Sequence, residues 1–174
     1  MTLNTTAEDR HRVSQGLFSY CRGLDRFDRA LALSPFDPAA HLVYTELFEG
    51  TPAQFMDWIW PIHERMPVHV HRVTNIFLER RPDGVLVSES YVHVILRTVS
   101  EDGSLVDNVG NGRYIDRWEE ADGELRIVER GYVRDMSRRY PFHEGPLAAP
   151  PQSDAPSLTW ARDRSDASYR LLGG

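Results

Sequence analysis

The residue types best able to do chemistry fall in two short stretches. Val68-His69-Val70-His71-Arg72-Val73-Thr74-Asn75 alternates imidazoles with aliphatic residues. On a strand, successive side chains point to opposite faces, so His69 and His71 share one face. Upstream, Leu24-Asp25-Arg26-Phe27-Asp28 places a carboxylate beside an apolar helix stripe. If that helix packs on the strand, Asp25 can meet His71. A carboxylate that orients a histidine turns it into a general base usable near neutral pH. The ordinary alternative is a core histidine bonded to a carbonyl, with Asp25 solvated among Arg22, Arg26 and Arg29. Asp28 competes for the acid's role, but Asp25 follows Leu24 directly on the apolar stripe. His69, at the strand start, is expected at the rim.

Other residues could support that chemistry. Arg130 alternates with Val128 and Tyr132, so it could face a cavity and stabilise an oxyanion. An ion pair with neighbours on the Glu129 side or with Asp116 is its equal alternative. Tyr44 could donate to a substrate oxygen, or be a half-buried strand aromatic. Tyr91, Tyr114, Trp58 and Trp118 read as core or pocket wall. His69, His71 and His93 could in principle hold a metal, but the spacing fits no recognised ligand set and none is expected. His11, His41, His63 and His143 read as surface residues.

Composition excludes much else. The chain has 174 residues, of which 41% are hydrophobic and 26% charged, enough for one globular domain with a core. Its net charge of −6 argues against nucleic acid as partner. No apolar run approaches a membrane span, and the N-terminus lacks a signal pattern, so a cytoplasmic location is expected. Cys21 stands alone, which removes an intrachain disulfide and cysteine-based zinc. All 20 basic residues are arginine. Without lysine there is no Schiff base and no Walker-type phosphate loop. Glycine-rich dinucleotide and Gly-x-Ser-x-Gly motifs are absent too. Catalysis is left to His, Asp, Glu, Tyr and Arg, with no cofactor expected.

The elements that must position these residues follow from periodicity. Val13, Leu17, Tyr20, Cys21, Leu24, Phe27 and Leu31 recur at helical steps, with Thr6 and Asp9 at the start. Ser34-Pro35 ends the pattern, and Asp37-Pro38 continues the loop. A short strand is read over 41–48. Thr51-Pro52-Ala53-Gln54 opens a second helix with a capping box, carrying Phe55, Trp58, Ile59 and Ile62 to about Met66-Pro67. Pro61 should kink or shorten it. From Val68 the period becomes two, giving strands near 68–80, 85–98, 105–120 and 124–138. Asp83-Gly84, Asp102-Gly103 and Asp122-Gly123 supply hairpin turns, whose central residues can need positive φ. Gly110-Asn111-Gly112 marks a bulge or bend. The result is an α+β protein with helices on one face of the sheet. Beyond Tyr140 the character changes: Pro146, Pro150, Pro151 and Pro156 precede Trp160, Tyr169, Leu171 and Leu172. This tail either packs on its own core, reaches a neighbouring subunit, or is disordered.

This order resembles the SnoaL-like branch of the nuclear transport factor 2-like superfamily. Tyr20 to Phe36 looks like its first-helix Asp-x-x-Asp signature, and His71 to Asn75 like its His-x-x-x-Asn strand. Gly112 to Trp118 and Asp122 to Arg130 look like its closing hairpin. The resemblance implies one domain over 1–140 with an extension over 141–174. The implied fold is a cone-shaped barrel, a strongly curved mixed or antiparallel sheet with N-terminal helices closing an apolar pocket. Scytalone dehydratase and hexachlorocyclohexane dehydrochlorinase, members of that superfamily, use an Asp–His dyad, and Asp25 and His71 fall at its positions. Tyr44 falls near a substrate-holding tyrosine, and Arg130 resembles a pocket arginine. His93 lies on the strand of a second pocket histidine, though the spacing is shorter. Tyr114 completes the expected substrate-binding set. Where the dehydratase has tyrosine before its acid, this chain has Leu24.

The resemblance implies a cofactor-independent lyase of dehydratase type, acting on a small apolar oxygenated ring compound. An isomerase or cyclase of the same fold, a non-catalytic binding module, or a small subunit of a ring-hydroxylating oxygenase are the alternatives. A homo-oligomer, dimer or trimer, is expected.

Overall fold

The structure, a computed structural model, describes residues 4–143 and 160–172. Helix α1 spans Ala7–Asp25. Thr6 caps it by accepting from Asp9 N–H at 2.9 Å, and the Asp9 carboxylate accepts from Thr6 N–H at 2.9 Å. Its stripe of Val13, Leu17, Tyr20, Cys21 and Leu24 is buried. The helix stops at Asp25 because the chain turns back: Phe27 takes φ 52°, and Asp28 caps α2 (Arg29–Leu33) through Leu31 N–H at 3.0 Å. Gly23 permits the close packing of α2 on α1, since a Cβ there would lie 2.3 Å from Ala32 N.

Strand β1 runs over Phe36–Tyr44 and pairs with β2, Phe48–Gly50. It therefore starts earlier than periodicity predicted and takes in Asp37-Pro38. Pro38 has no N–H to offer, and it sits where the β1–β6 register is irregular, between Phe36 and His41. Helix α3, Pro52–Glu64, begins with the predicted capping box between Thr51 and Gln54. It continues past Pro61 for one further short stretch, ending before Met66.

Four long strands follow: β3 (Val68–Arg80), β4 (Leu86–Val99), β5 (Leu105–Ala121) and β6 (Glu124–Pro141). Only the Asp122-Gly123 turn has positive φ at both residues, 55° and 79°, as a tight two-residue hairpin demands. At Gly84 and Gly103 the glycine alone is left-handed, and wider loops close through Arg81 N–H to Val85 O and Ser100 N–H to Ser104 O. The predicted irregularity at Gly110-Asn111-Gly112 is a register shift between Asn111 and Gly112. A second lies between Thr74 and Phe77, where Asn75 takes φ 49°. Asparagine tolerates that conformation better than most residues, which gives the Asn of the strand motif a backbone role.

The sheet has six strands in the order β2-β1-β6-β5-β4-β3, with β1 and β6 parallel and the other neighbours antiparallel. This corrects the expected barrel. The sheet is open, with β2 and β3 as its two edges, and is not strongly curved upon itself. Closure would require those edges to pair, and β2 is three residues long and leads almost directly into α3. The helices lie on one face instead. Leu17, Tyr20 and Leu24 of α1 and Phe55 and Met56 of α3 share a core with Leu42, Leu78, Leu86, Tyr114, Trp118 and Ile127 of the sheet. Among the described residues, no helix is long and apolar enough to cross a membrane. Pro146, Pro150, Pro151 and Pro156 fall outside the described residues. The segment 160–172, ending in the short helix α4 (Tyr169–Leu172), docks on α1 and α3 through Arg22 to Ser168, Arg26 to Asp166 and Arg162 to His63 O.

Candidate active site

Two elements meet to build the site. Asp25 is the last residue of α1, and α1 packs on β3, which carries His69 and His71 two residues apart on one face. The Asp25 Oδ1 atom accepts from His71 Nδ1 at 2.7 Å and from His69 Nδ1 at 3.3 Å. Its Oδ2 accepts the backbone N–H of His71 at 3.0 Å. The side chains of Asp25, His69 and His71 are 13%, 0% and 7% exposed. Burial pushes the Asp25 carboxyl up, but the bonds from His69 and His71 outweigh it and hold the pKa at about 2. The carboxylate is therefore ionised at neutral pH. Since it brings no proton of its own, each ring must donate, which fixes both histidines with hydrogen on Nδ1. In the neutral form of each ring, Nε2 then carries a lone pair.

The expected pairing of Asp25 with His71 is thus met in the geometry, and Asp28 is occupied elsewhere as the α2 cap. Two other expectations are corrected. His69 is not at the rim but 1% exposed, because its side chain points inward between β3 and the helices. His63 is not on the surface: it is 4% exposed, with its ring 4.6 Å from that of His69 and 6.0 Å from that of His71. Burial, then the nearby His69, His71 and Arg162, push the His63 pKa down to about 2. Burial likewise lowers that of His69 despite the bond to Asp25. The α3 sequence did carry a signal, since His63 continues the four-residue steps of Phe55 and Ile59 on the buried side. Phe27 packs its edge on His69 at 5.2 Å. Arg162 lies 4.3 Å above Phe27 and donates to His63 O at 2.7 Å and to Met66 O, closing the C-terminal end of α3. Nothing in the sequence around Arg162 marked it for this place.

The remaining predicted residues divide into two groups. Tyr44, Arg130 and Tyr114 come together in a second buried cluster. Arg130 is wholly buried and makes a two-pronged bond to Asp116 at 2.7 and 2.8 Å. Its guanidinium carbon lies 4.2 Å from the Tyr114 ring, 4.6 Å from Tyr20 and 5.0 Å from Phe36. Burial would lower the Arg130 pKa, but Asp116 outweighs it and keeps the group charged. Among the described residues, Arg130 Nη1 has no partner at hydrogen-bond distance and angle. The Tyr44 hydroxyl pairs with that of Tyr20 at 2.7 Å, and its ring stacks on Phe55 at 4.3 Å. His93 joins neither group. It pairs in register with Arg72 and Asn111, so its side chain leaves the sheet on the face opposite His71. Cys21, buried beside Asp25, has its thiol pushed up to about 12 by burial and is chemically quiet.

A cleft of about 520 Å³ opens beside the pair, lined by Phe18, Cys21, Arg22, Asp25, Arg26, His71 and the following β3 residues. Asp25, His69 and His71 also offer three possible ligand atoms within 4.8 Å of one another, which could hold a divalent metal. The separations from Oδ1 are those of N–H···O bonds, and those bonds satisfy the carboxylate without an ion. The arrangement can therefore hold a proton acceptor in a fixed tautomer against an ionised acid.

Comparison with known proteins places the fold. No curated protein sequence matches the chain. Similar solved structures include a candidate scytalone dehydratase from Novosphingobium aromaticivorans, 19% identical, with TM-score 0.66, covering 78% of this chain and 90% of that one. A type 2 hexachlorocyclohexane dehydrochlorinase (LinA) is 16% identical, with TM-score 0.68, covering 81% and 95%. A candidate aromatic ring hydroxylase from Novosphingobium aromaticivorans is 19% identical, with TM-score 0.66, covering 79% and 96%. At these identities the likeness is one of fold. The sequence itself carries the family: a model of the SnoaL-like domain matches residues 5–131, and the chain belongs to that family.

Proposed function

We propose that the protein is a cofactor-independent lyase of dehydratase type, acting on a small, largely apolar, oxygenated ring compound. The observation that carries this reading is the 2.7 Å bond from His71 Nδ1 to an ionised Asp25, beside an open cleft. His71 Nε2 removes a proton from the carbon next to a carbonyl. Asp25 holds the tautomer and stabilises the imidazolium that forms. The electron pair flows to the carbonyl oxygen as an enolate, and its return expels a hydroxyl group from the neighbouring carbon. The imidazolium proton leaves with that hydroxyl as water, and a conjugated ketone remains.

Arg22 and Arg26 line the cleft beside His71 and are the cations that steady the enolate, whereas Arg130 is wholly buried in the second cluster. The paired hydroxyls of Tyr44 and Tyr20 lie in the same aromatic cluster, and Tyr114 forms its wall. If the proton returns at another carbon and no hydroxyl leaves, the same groups perform an isomerisation.

The test is a screen of cyclic hydroxy-ketones, reading the ultraviolet absorbance of the conjugated product. Turnover by wild type and its loss in His71→Ala, with an unchanged near-ultraviolet circular dichroism spectrum, is expected. Undiminished turnover in His71→Ala would sink the assignment. Ligand binding without any turnover across the screen would point instead to a binding module.

A further inference from the structure

We infer that His69 is a positioning residue for the Asp25–His71 pair, acting as a second, buried donor that holds the carboxylate in place. This deepens the proposed function and rests on it. Four observations support it. His69 has no exposed side-chain surface, so it does not serve as a solvent-facing base. Its Nδ1 lies 3.3 Å from the same Oδ1 atom that accepts from His71. Among the described residues its buried Nε2 has no hydrogen-bond partner, so Nδ1 makes the ring's hydrogen bond. Phe27 and His63 clamp the ring from two sides, at 5.2 and 4.6 Å.

The consequence is geometric. His71 engages both carboxylate oxygens, its ring on Oδ1 and its backbone N–H on Oδ2, and His69 adds a second donor to Oδ1 that does not depend on the His71 ring. The charged and titratable groups packed around Asp25 are Cys21 of α1, Arg26 just after that helix, His63 of α3, Arg162 of the C-terminal segment, and the two β3 histidines themselves.

The test begins without any substrate. Long-range proton–nitrogen NMR spectra of the wild-type protein should show His69 with hydrogen on Nδ1 and a bare Nε2. Hydrogen on Nε2 would overturn the proposal. Next come His69→Asn, whose side-chain amide nitrogen can sit where Nδ1 does, and His69→Gln, whose amide nitrogen is displaced by one carbon. Asparagine should leave the Asp25 carboxyl titration near its wild-type position, and glutamine should raise it by about one unit. In turnover, glutamine should lower kcat about tenfold with KM unchanged and move the acid limb of the pH profile upward. Equal titration of Asp25 in the two variants would overturn the role of His69. The proposed activity stands or falls separately on Asp25→Asn: if its His71 ring keeps the wild-type tautomer and turnover is undiminished, it is the dyad reading that fails.

Discussion

Asp25 grips His71 twice, by its ring at Nδ1 and by its backbone N–H, with one carboxylate oxygen for each. The acid thus sets both the orientation of the imidazole and the height of the strand that bears it. An asparagine at position 25 can copy part of this but supplies no charge. Asp25→Asn should lower kcat by roughly 10²- to 10⁴-fold in a responsive dehydration assay while the protein stays folded. A loss below tenfold would mean that the carboxylate is structural.

Acid should weaken the fold in two stages. Buried His63 has its pKa lowered from 6.5 to about 2, so the unfolded chain binds a proton there that the folded chain refuses. Stability attributable to His63 therefore falls as pH drops below 6.5 and continues to fall toward 2. His63→Gln should flatten the fall in urea midpoint between pH 6.5 and pH 4. An unchanged slope would show that His63 does not sense the burial described.

Asp25 acts lower down. Its folded value of about 2 lies under the ordinary 3.8, so its stabilising contribution is complete above 3.8 and disappears as pH falls through 2. The difference in unfolding free energy between wild type and Asp25→Asn should be roughly constant above pH 5 and shrink by about 2 kcal/mol on acidification. Denaturant titrations at stepped pH measure it, and a difference that grows on acidification would contradict the ionised carboxylate.

Arg130 and Asp116 share a wholly buried bond. Removing one partner strands the other: Arg130→Met should cost about 3–5 kcal/mol in chemical denaturation. The double change Arg130→Met with Asp116→Leu should recover most of that loss. A double variant no more stable than the single one would mean that the arginine's packing on Tyr114 and Tyr20, not its charge, is what the core requires.

Arg162 ties residues 160–172 to the end of α3. Arg162→Ala should destabilise by about 1–3 kcal/mol, the range for hydrogen bonds to charged donors. Hydrogen exchange at the last turn of α3 should quicken in parallel. Unaltered exchange there would detach the C-terminal segment from the histidine cluster.

Much of this was legible in the sequence, for local reasons. The change of period at Val68, the Asp-Gly pairs, the Thr6–Asp9 start and the Thr51 capping box are nearest-neighbour signals, and the four long strands and both helix starts follow them closely. Asp25 was separable from Asp28 because it follows Leu24 on the apolar stripe and matches the family position, whereas the break that makes Asp28 the cap of α2 was not legible. The misreadings involve long-range partners. Pro38 reads as loop until β6 supplies an irregular register that can take it in. Whether a sheet closes depends on two edges distant in sequence, β2 and β3. His63 and His69 looked exposed because histidine usually is. Their burial depends on α3 and β3 meeting, and on Arg162 arriving from almost a hundred residues away.

Asp25 closes α1, and that position has an electrostatic meaning beyond its hydrogen bonds. The C-terminal end of a helix carries a partial negative charge from its unpaired carbonyls. An acid there gains nothing from the helix, but a cation in front of it is favoured by both. The imidazolium that His71 becomes on taking a proton would be that cation. The carboxylate at that helix end is in place against the His71 ring before any substrate arrives, so the environment needs little rearrangement as the charge develops.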